Sequence, residues 1–150
     1  MTLVISLGTF ESMAESTIYK VERAHTAWPA LLKELPPKAS PKSLYVRGSL
    51  PPADTLVVSI VGTRRPTNYG KDAAYEIASA LARHKIVIAS GMAMGIDGIV
   101  HKAALEAGVP TIAVLGSGID ETVLYPKDHI KLSREIVHSG GALISEYEPT

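Results

Sequence analysis

The chain has 150 residues and a mass of 15.9 kDa, a length suited to one domain with one core rather than two. Apolar residues at 46% and charged residues at 20% exclude a disordered or fibrous chain, and 15 Lys+Arg against 15 Asp+Glu remove any argument from global charge for nucleic acid or an acidic membrane. The absence of cysteine excludes disulfides, thiolate zinc sites and a Cys nucleophile.

Met1 to Phe10 is mildly apolar but lacks a basic start and is followed by Glu11 and Glu15, so it is not read as a signal peptide. The apolar runs are too short and interrupted to span a bilayer, and the expected compartment is the cytoplasm. Up to Asp54 the chain is punctuated by Pro29, Pro36, Pro37, Pro41, Pro51 and Pro52, which leaves room for a short helix over Ala30–Glu34 and a short extended piece at Leu44–Arg47. Residues 1–54 are therefore expected to be an extension that wraps on a main body formed by residues 55–150.

From Leu56 the pattern becomes regular. Apolar runs at Leu56–Val61, Ile86–Ala89, Thr111–Leu115 and Ala142–Ser145 alternate with helical spacing over Lys71–His84, Ile96–Ala107 and Asp128–Ser139. Gly108 with Pro110, and Gly140-Gly141, supply stops for the second and third helices. Short Val/Ile-rich runs separated by helices mean βαβ units, so the expected class is α/β: a Rossmann-like three-layer domain whose four-stranded, mainly parallel sheet is buried on both faces.

In such a sheet, ligands bind beyond the carboxyl ends of the strands. Three loops there are glycine-rich: Gly62 to Gly70, Ser90 to Asp97, and Gly116-Ser117-Gly118-Ile119-Asp120. Glycine lets backbone approach a ligand closely, and helix N-termini present free N–H groups, so these loops with Arg64 and Arg65 form a candidate phosphate rim. The plain alternative is a set of tight strand-to-helix turns with surface arginines; three loops plus an arginine pair between a buried strand and a helix start favour the phosphate reading. Local charge agrees in part: Lys20 to Lys71 holds nine basic and three acidic residues, whereas Asp120 to the end holds three basic and six acidic.

Familiar catalytic patterns fail. Gly116-Ser117-Gly118 is followed at the sixth motif position by Glu121, Gly70-Lys71 is followed by Asp72, and Ile88 stands where a nucleophile elbow at Ser90 needs glycine. Asp97 and His101, one helical turn apart, are read as a helix-start carboxylate and a hydrogen-bonded neighbour rather than an acid–base pair or half a metal site. No metal site is expected. His25, His84, His129 and His138 are read as surface or packing residues, and Trp28 and Tyr45 as anchors to the core. Tyr69 either stacks on a base or closes its turn.

Ordered blocks then carry a resemblance. They are Leu44-Tyr45-Val46-Arg47-Gly48, Ile60 to Gly70, Ser90 to Asp97 with His101 and Ala104-Leu105, Ala113 to Gly118, Tyr125-Pro126, and Gly141 to Glu146. Over roughly Trp28 to Pro149 the chain is similar to the α/β domain of the DNA-processing protein A family, also called DprA or Smf. The resemblance implies an extended Rossmann fold and a dimeric, non-enzymatic, cofactor-free protein. Such a protein binds single-stranded DNA, assists loading of the RecA recombinase and acts in natural transformation.

It also implies that Arg64 and glycines of the neighbouring loops receive DNA phosphates. The combined candidate set is Gly62, Thr63, Arg64, Arg65, Thr67, Tyr69, Gly70, Lys71, Ser90, Gly91, Gly95, Gly116, Ser117 and Gly118. His129 stands where the family usually has asparagine. Family members usually continue past the Ser-Glu-Tyr-Glu-Pro block, so the domain is expected to be short at its C-terminal end and to expose a sheet edge or an apolar face. The rival reading is a nucleotide-binding or nucleotide-hydrolysing domain of the wider LOG-like superfamily, whose Gly-Gly-x-Gly-Thr…Glu motif is absent here.

Overall fold

In the computed structural model, residues 17–150 are described, and the expectation on Met1–Phe10 lies outside them. The proline-rich region supplies β1 (Ile18–Glu22), a single-turn helix α1 (Ala30–Lys33) and β2 (Ser43–Gly48). The regular region supplies β3 (Val57–Ser59), α2 (Asn68–Arg83), β4 (Val87–Ser90), α3 (Ile96–Glu106), β5 (Thr111–Leu115), a 3₁₀ turn (Lys127–His129), α4 (Ile130–His138) and β6 (Ala142–Ser145). No helix among the described residues is long and apolar enough to cross a membrane.

All six strands form one sheet in the order β1-β2-β6-β5-β4-β3. The expected four strands are present and parallel, with Ile88 opposite Thr111 and Ala113 opposite Leu143. Two more, β1 and β2, extend the sheet antiparallel through Tyr45 opposite Ser145 and Val21 opposite Leu44. The four-strand expectation is corrected to six because β1 buries only Val21, leaving little trace in hydropathy, and β2, expected only as an extended piece at Leu44–Arg47, joins the sheet through β6, far along the chain.

The helices keep their predicted places; α3 starts at Ile96 as expected, and the other two start elsewhere. α2 begins at Asn68 rather than Lys71 because the Thr67 hydroxyl accepts the Gly70 N–H at 3.2 Å and caps the first turn. The third helix is preceded by the 3₁₀ turn that follows Pro126.

Side chains alternate across the strands. Ala113, Leu115 and Leu143 pack with Leu132, Ile136 and Val137 of α4, while Ile88 packs with Ala74, Ala78, Val100 and Ala104 of α2 and α3. On the other face, Val87, Ala89, Ile112 and Ile144 pack with Trp28, Leu44 and Val46. α2 contacts α3 and α3 contacts α4, so the three form one layer on one face.

The opposite face is covered only in part, by Trp28, Leu32 and Leu50. Leu56, Val57 and Val114 remain exposed and line an open cavity of about 1260 Å³. The expectation of burial on both faces is corrected for this part of the sheet, since a Val/Ile run has the same composition whether one face or two are packed.

Glu121 ties the N-terminal strands to α4. Its carboxylate accepts Arg134 Nη2 at 2.6 Å and Arg47 Nη1 at 3.2 Å. The Arg134 hydrogen bond foremost, with help from Arg47 against partial burial, lowers its pKa from the usual 4.5 to about 2. A depressed acid pKa contributes stability that is full above 4.5 and lost as pH falls towards 2. Replacing Glu121 with glutamine is therefore expected to reduce stability at neutral pH and to flatten its loss across that window. Urea unfolding at several pH values measures both.

Candidate nucleic-acid interface

The loops after β3 and β4 are latched together through their backbones. Asp97, 5% exposed in the first turn of α3, accepts the Gly62 N–H and the Ala93 N–H, each at 3.2 Å. The Ile96 N–H donates to Thr63 O at 3.2 Å, and the Ser90 hydroxyl donates to Ile60 O at 2.6 Å. Gly95, at φ +87°, lets the two loops touch, because a Cβ there would strike Thr63 O and the Arg64 carbonyl. Between them Met92 holds φ +63° with its side chain fully buried, and its carbonyl accepts His129 Nδ1 at 2.7 Å. An L-residue in this region costs free energy that the surrounding contacts must outweigh.

This latch leaves a cavity of about 460 Å³ beside α2 and α3. Arg64, Arg65 and Lys71 line it from the first loop and α2; Gly95, just before α3, and Gly98, Ile99 and Lys102 of α3 line it from the other side; Pro66, Met94 and His129 complete it. Among the described residues none of its four cations is in an ion pair with a carboxylate. Four unneutralised cations around one hollow repel one another and favour an anion there.

Of the predicted site residues, the cavity brings together Arg64, Arg65, Lys71 and Gly95. Gly62, Ser90 and Gly91 sit beneath the latch: a Cβ on Gly62 would press on Ile96, and one on Gly91 would approach Asp97 Oδ2 to 2.8 Å. The Thr63 hydroxyl accepts the Arg65 N–H at 3.2 Å, and Thr67 with Gly70 forms the cap of α2. Tyr69 is 83% exposed and outside the cavity. The third glycine loop is elsewhere. Gly116 lines the apolar cavity of the opposite face, and Ser117 and Gly118 pack against Ser145 and the backbone of Glu148 and Pro149.

Six lining residues, Pro66, Met94, Gly98, Ile99, Lys102 and His129, are absent from the predicted set, and Lys102 and His129 are the two that can carry charge. Gly95, Gly98, Ile99 and Lys102 lie at i, i+3, i+4 and i+7 on one face of α3, a spacing that could have found Lys102. His129 reaches the cavity only by packing across Gly98, where a Cβ would meet its ring at 2.7 Å. Asp97 and His101 serve the structure. His101, fully buried, donates from Nδ1 to Thr111 Oγ1 at 2.8 Å, and that hydroxyl donates onward to Ile88 O. Burial first, then neighbouring His129, pushes the His101 pKa down to about 4. No three His, Asp or Glu side chains among the described residues gather as a metal site requires.

The fold and the cavity define a Rossmann-like α/β domain with a cationic hollow at its strand ends. The family model of DNA recombination-mediator protein A matches residues 20–150, and the chain belongs to that family. It is 37% identical over 107 residues to protein Smf of Escherichia coli, an overlap of 71% of this chain and 28% of that protein. It is similar to the crystal structure of DNA processing protein A from Streptococcus pneumoniae, with TM-score 0.70 and 28% identity over 93% of this chain and 48% of that one. It is also similar to DNA processing protein A from Helicobacter pylori, solved for its single-stranded DNA binding mode, with TM-score 0.73 and 35% identity over 90% of this chain and 58% of that one. The chain thus spans under a third of the Escherichia coli relative's length and about half of the solved ones.

Proposed function

We propose that this domain binds single-stranded DNA by its phosphates, as one part of a DNA-processing and recombination-mediating protein. The observation that carries the reading is the cavity in which Arg64, Arg65, Lys71 and Lys102 meet without carboxylate partners. Guanidinium groups fork onto phosphate oxygens and ammonium groups hold them as point charges, so the contacts follow the strand rather than its sequence. The relative from Helicobacter pylori, described for binding single-stranded DNA, supports the choice of ligand. Tyr69, exposed two residues before Lys71, supports the stacking alternative, since its ring is free to meet a base. No complete catalytic set accompanies the cavity, and the proposed role is binding rather than catalysis. Loading of the RecA recombinase, pairing with a second copy and action in the cytoplasm during natural transformation belong to the same proposal and rest on the family resemblance.

The test is fluorescence anisotropy with an unstructured oligothymidylate of about 15 nucleotides across a salt series. Affinity is expected to fall with log salt at about 0.7 per phosphate contact, roughly 2 to 3 for the four cations, with little difference between pyrimidine and purine strands. Salt-independent binding, or tighter binding of a mononucleotide than of the oligonucleotide, would overturn the reading.

A further inference from the structure

His129 has a role that neither the family match nor the loop motifs assign. Its ring is wedged against Gly98 at the start of α3 and lines the cavity with the four cations. The Met92 carbonyl can only accept, so Nδ1 must carry a proton and donate it across the 2.7 Å contact. In the neutral ring Nε2 is then a bare acceptor, unable to bond to a phosphate oxygen. When Nε2 gains a proton the ring becomes a donor at both nitrogens while Nδ1 keeps its bond to Met92.

We infer that His129 is a phosphate-binding residue of this cavity, and that it takes up a proton from solvent when an oligonucleotide phosphate enters. The inference rests on the reading of the cavity as a DNA site. Arg64 and Arg65 from the first loop, Lys71 from α2 and Lys102 from α3 line the same cavity as the ring. Asp97 of α3 is committed to two backbone N–H groups, and His101 of the same helix is buried and hydrogen-bonded to Thr111. On its own turn, Lys127 reaches the carbonyls of Glu121 and Thr122, and Asp128 is exposed. Among the described residues no carboxylate lines the cavity. A phosphate supplies that negative charge, and Nε2–H donates to its oxygen. A backbone anchored at strained Met92 gives the ring a fixed aim, as a purely space-filling ring would not need.

The experiment measures oligothymidylate affinity between about pH 8 and pH 6 at constant ionic strength, for the wild type, His129→Asn and Arg64→Ala. The wild type is expected to bind more tightly as pH falls, by at most about tenfold per pH unit, the limit for uptake of one proton. His129→Asn, whose amide can still donate to Met92 O, is expected to lose that slope. In parallel, the His129 imidazole Cε1–H signal of the wild type, followed by NMR, is expected to titrate at a higher pH with the oligonucleotide than without, which needs no variant to fold. Equal slopes in wild type and His129→Asn, or a ring titration unmoved by DNA, while Arg64→Ala still weakens binding, overturn the role of His129 alone. Wild-type binding that Arg64→Ala leaves intact, or no wild-type binding, overturns the cavity reading and this inference with it.

Discussion

Arg64→Ala is expected to weaken oligonucleotide binding at low salt by about tenfold to a hundredfold, the scale of one charge-assisted contact to phosphate worth roughly 1.5–3 kcal/mol. The salt slope should fall by about 0.7 for each phosphate released. Arg64 has no carboxylate partner to lose, and it lies on a loop latched at both ends, so the change removes charge without removing support for the fold. Unfolding by urea should match the wild type within a few tenths of a kcal/mol, about the range for surface substitutions. Arg64→Lys is expected to recover part of the affinity, since the charge returns without the two-pronged geometry. Anisotropy at two salt concentrations separates the cases. An Arg64→Ala chain that binds like the wild type would show that the cavity is not the binding site.

Asp97→Ala is expected to have the largest effect on stability, about 2–4 kcal/mol. The carboxylate accepts N–H groups from both loops and sits in the first turn of a helix, where negative charge is favoured. Alanine removes the charged acceptor of both N–H groups, a loss of about 1.5–3 kcal/mol per bond at most and less at Gly62, which is exposed and can turn to water. Asp97→Asn should fall between, because one oxygen can still accept while the amide meets the other N–H donor to donor. Binding should weaken as well even though Asp97 touches no ligand, since Gly62 and Ala93 no longer hold Arg64 and Gly95 in register. Urea unfolding and amide exchange at Gly62 and Ala93 check this. Unchanged protection at those amides would show that Asp97 does not latch the loops.

How much of this was legible depended on how local each signal was. β5 and β6 were readable at their full extents, and α3 to within one residue, from Val/Ile runs and from Gly108 and Gly140 at the stops. β1 was not, because its single buried residue, Val21, makes no pattern and its pairing with β2 is a property of the assembled sheet. Three of the four cations of the cavity were legible from the position of Arg64, Arg65 and Lys71 beyond a strand end. Lys102 was hidden because a lysine on a helix is ordinarily solvated, although the Gly95–Gly98–Ile99 spacing pointed to its face. The place of His129 at the cavity, beyond its reading as a surface or packing residue, was hidden, since only packing brings residue 129 beside residue 98. The loop at Gly116–Gly118 lies away from the cavity. Its glycines resemble those of a ligand loop, yet a Cβ on Gly118 would strike the carbonyls of Glu148 and Pro149, so that glycine is there for close backbone packing.

The cationic hollow and the bare apolar hollow share no lining residue. Distant sites without common partners respond independently to substitution. Polar replacements at Leu56 and Val114 are therefore expected to change how the molecule behaves in concentrated solution while leaving the cationic hollow as it is.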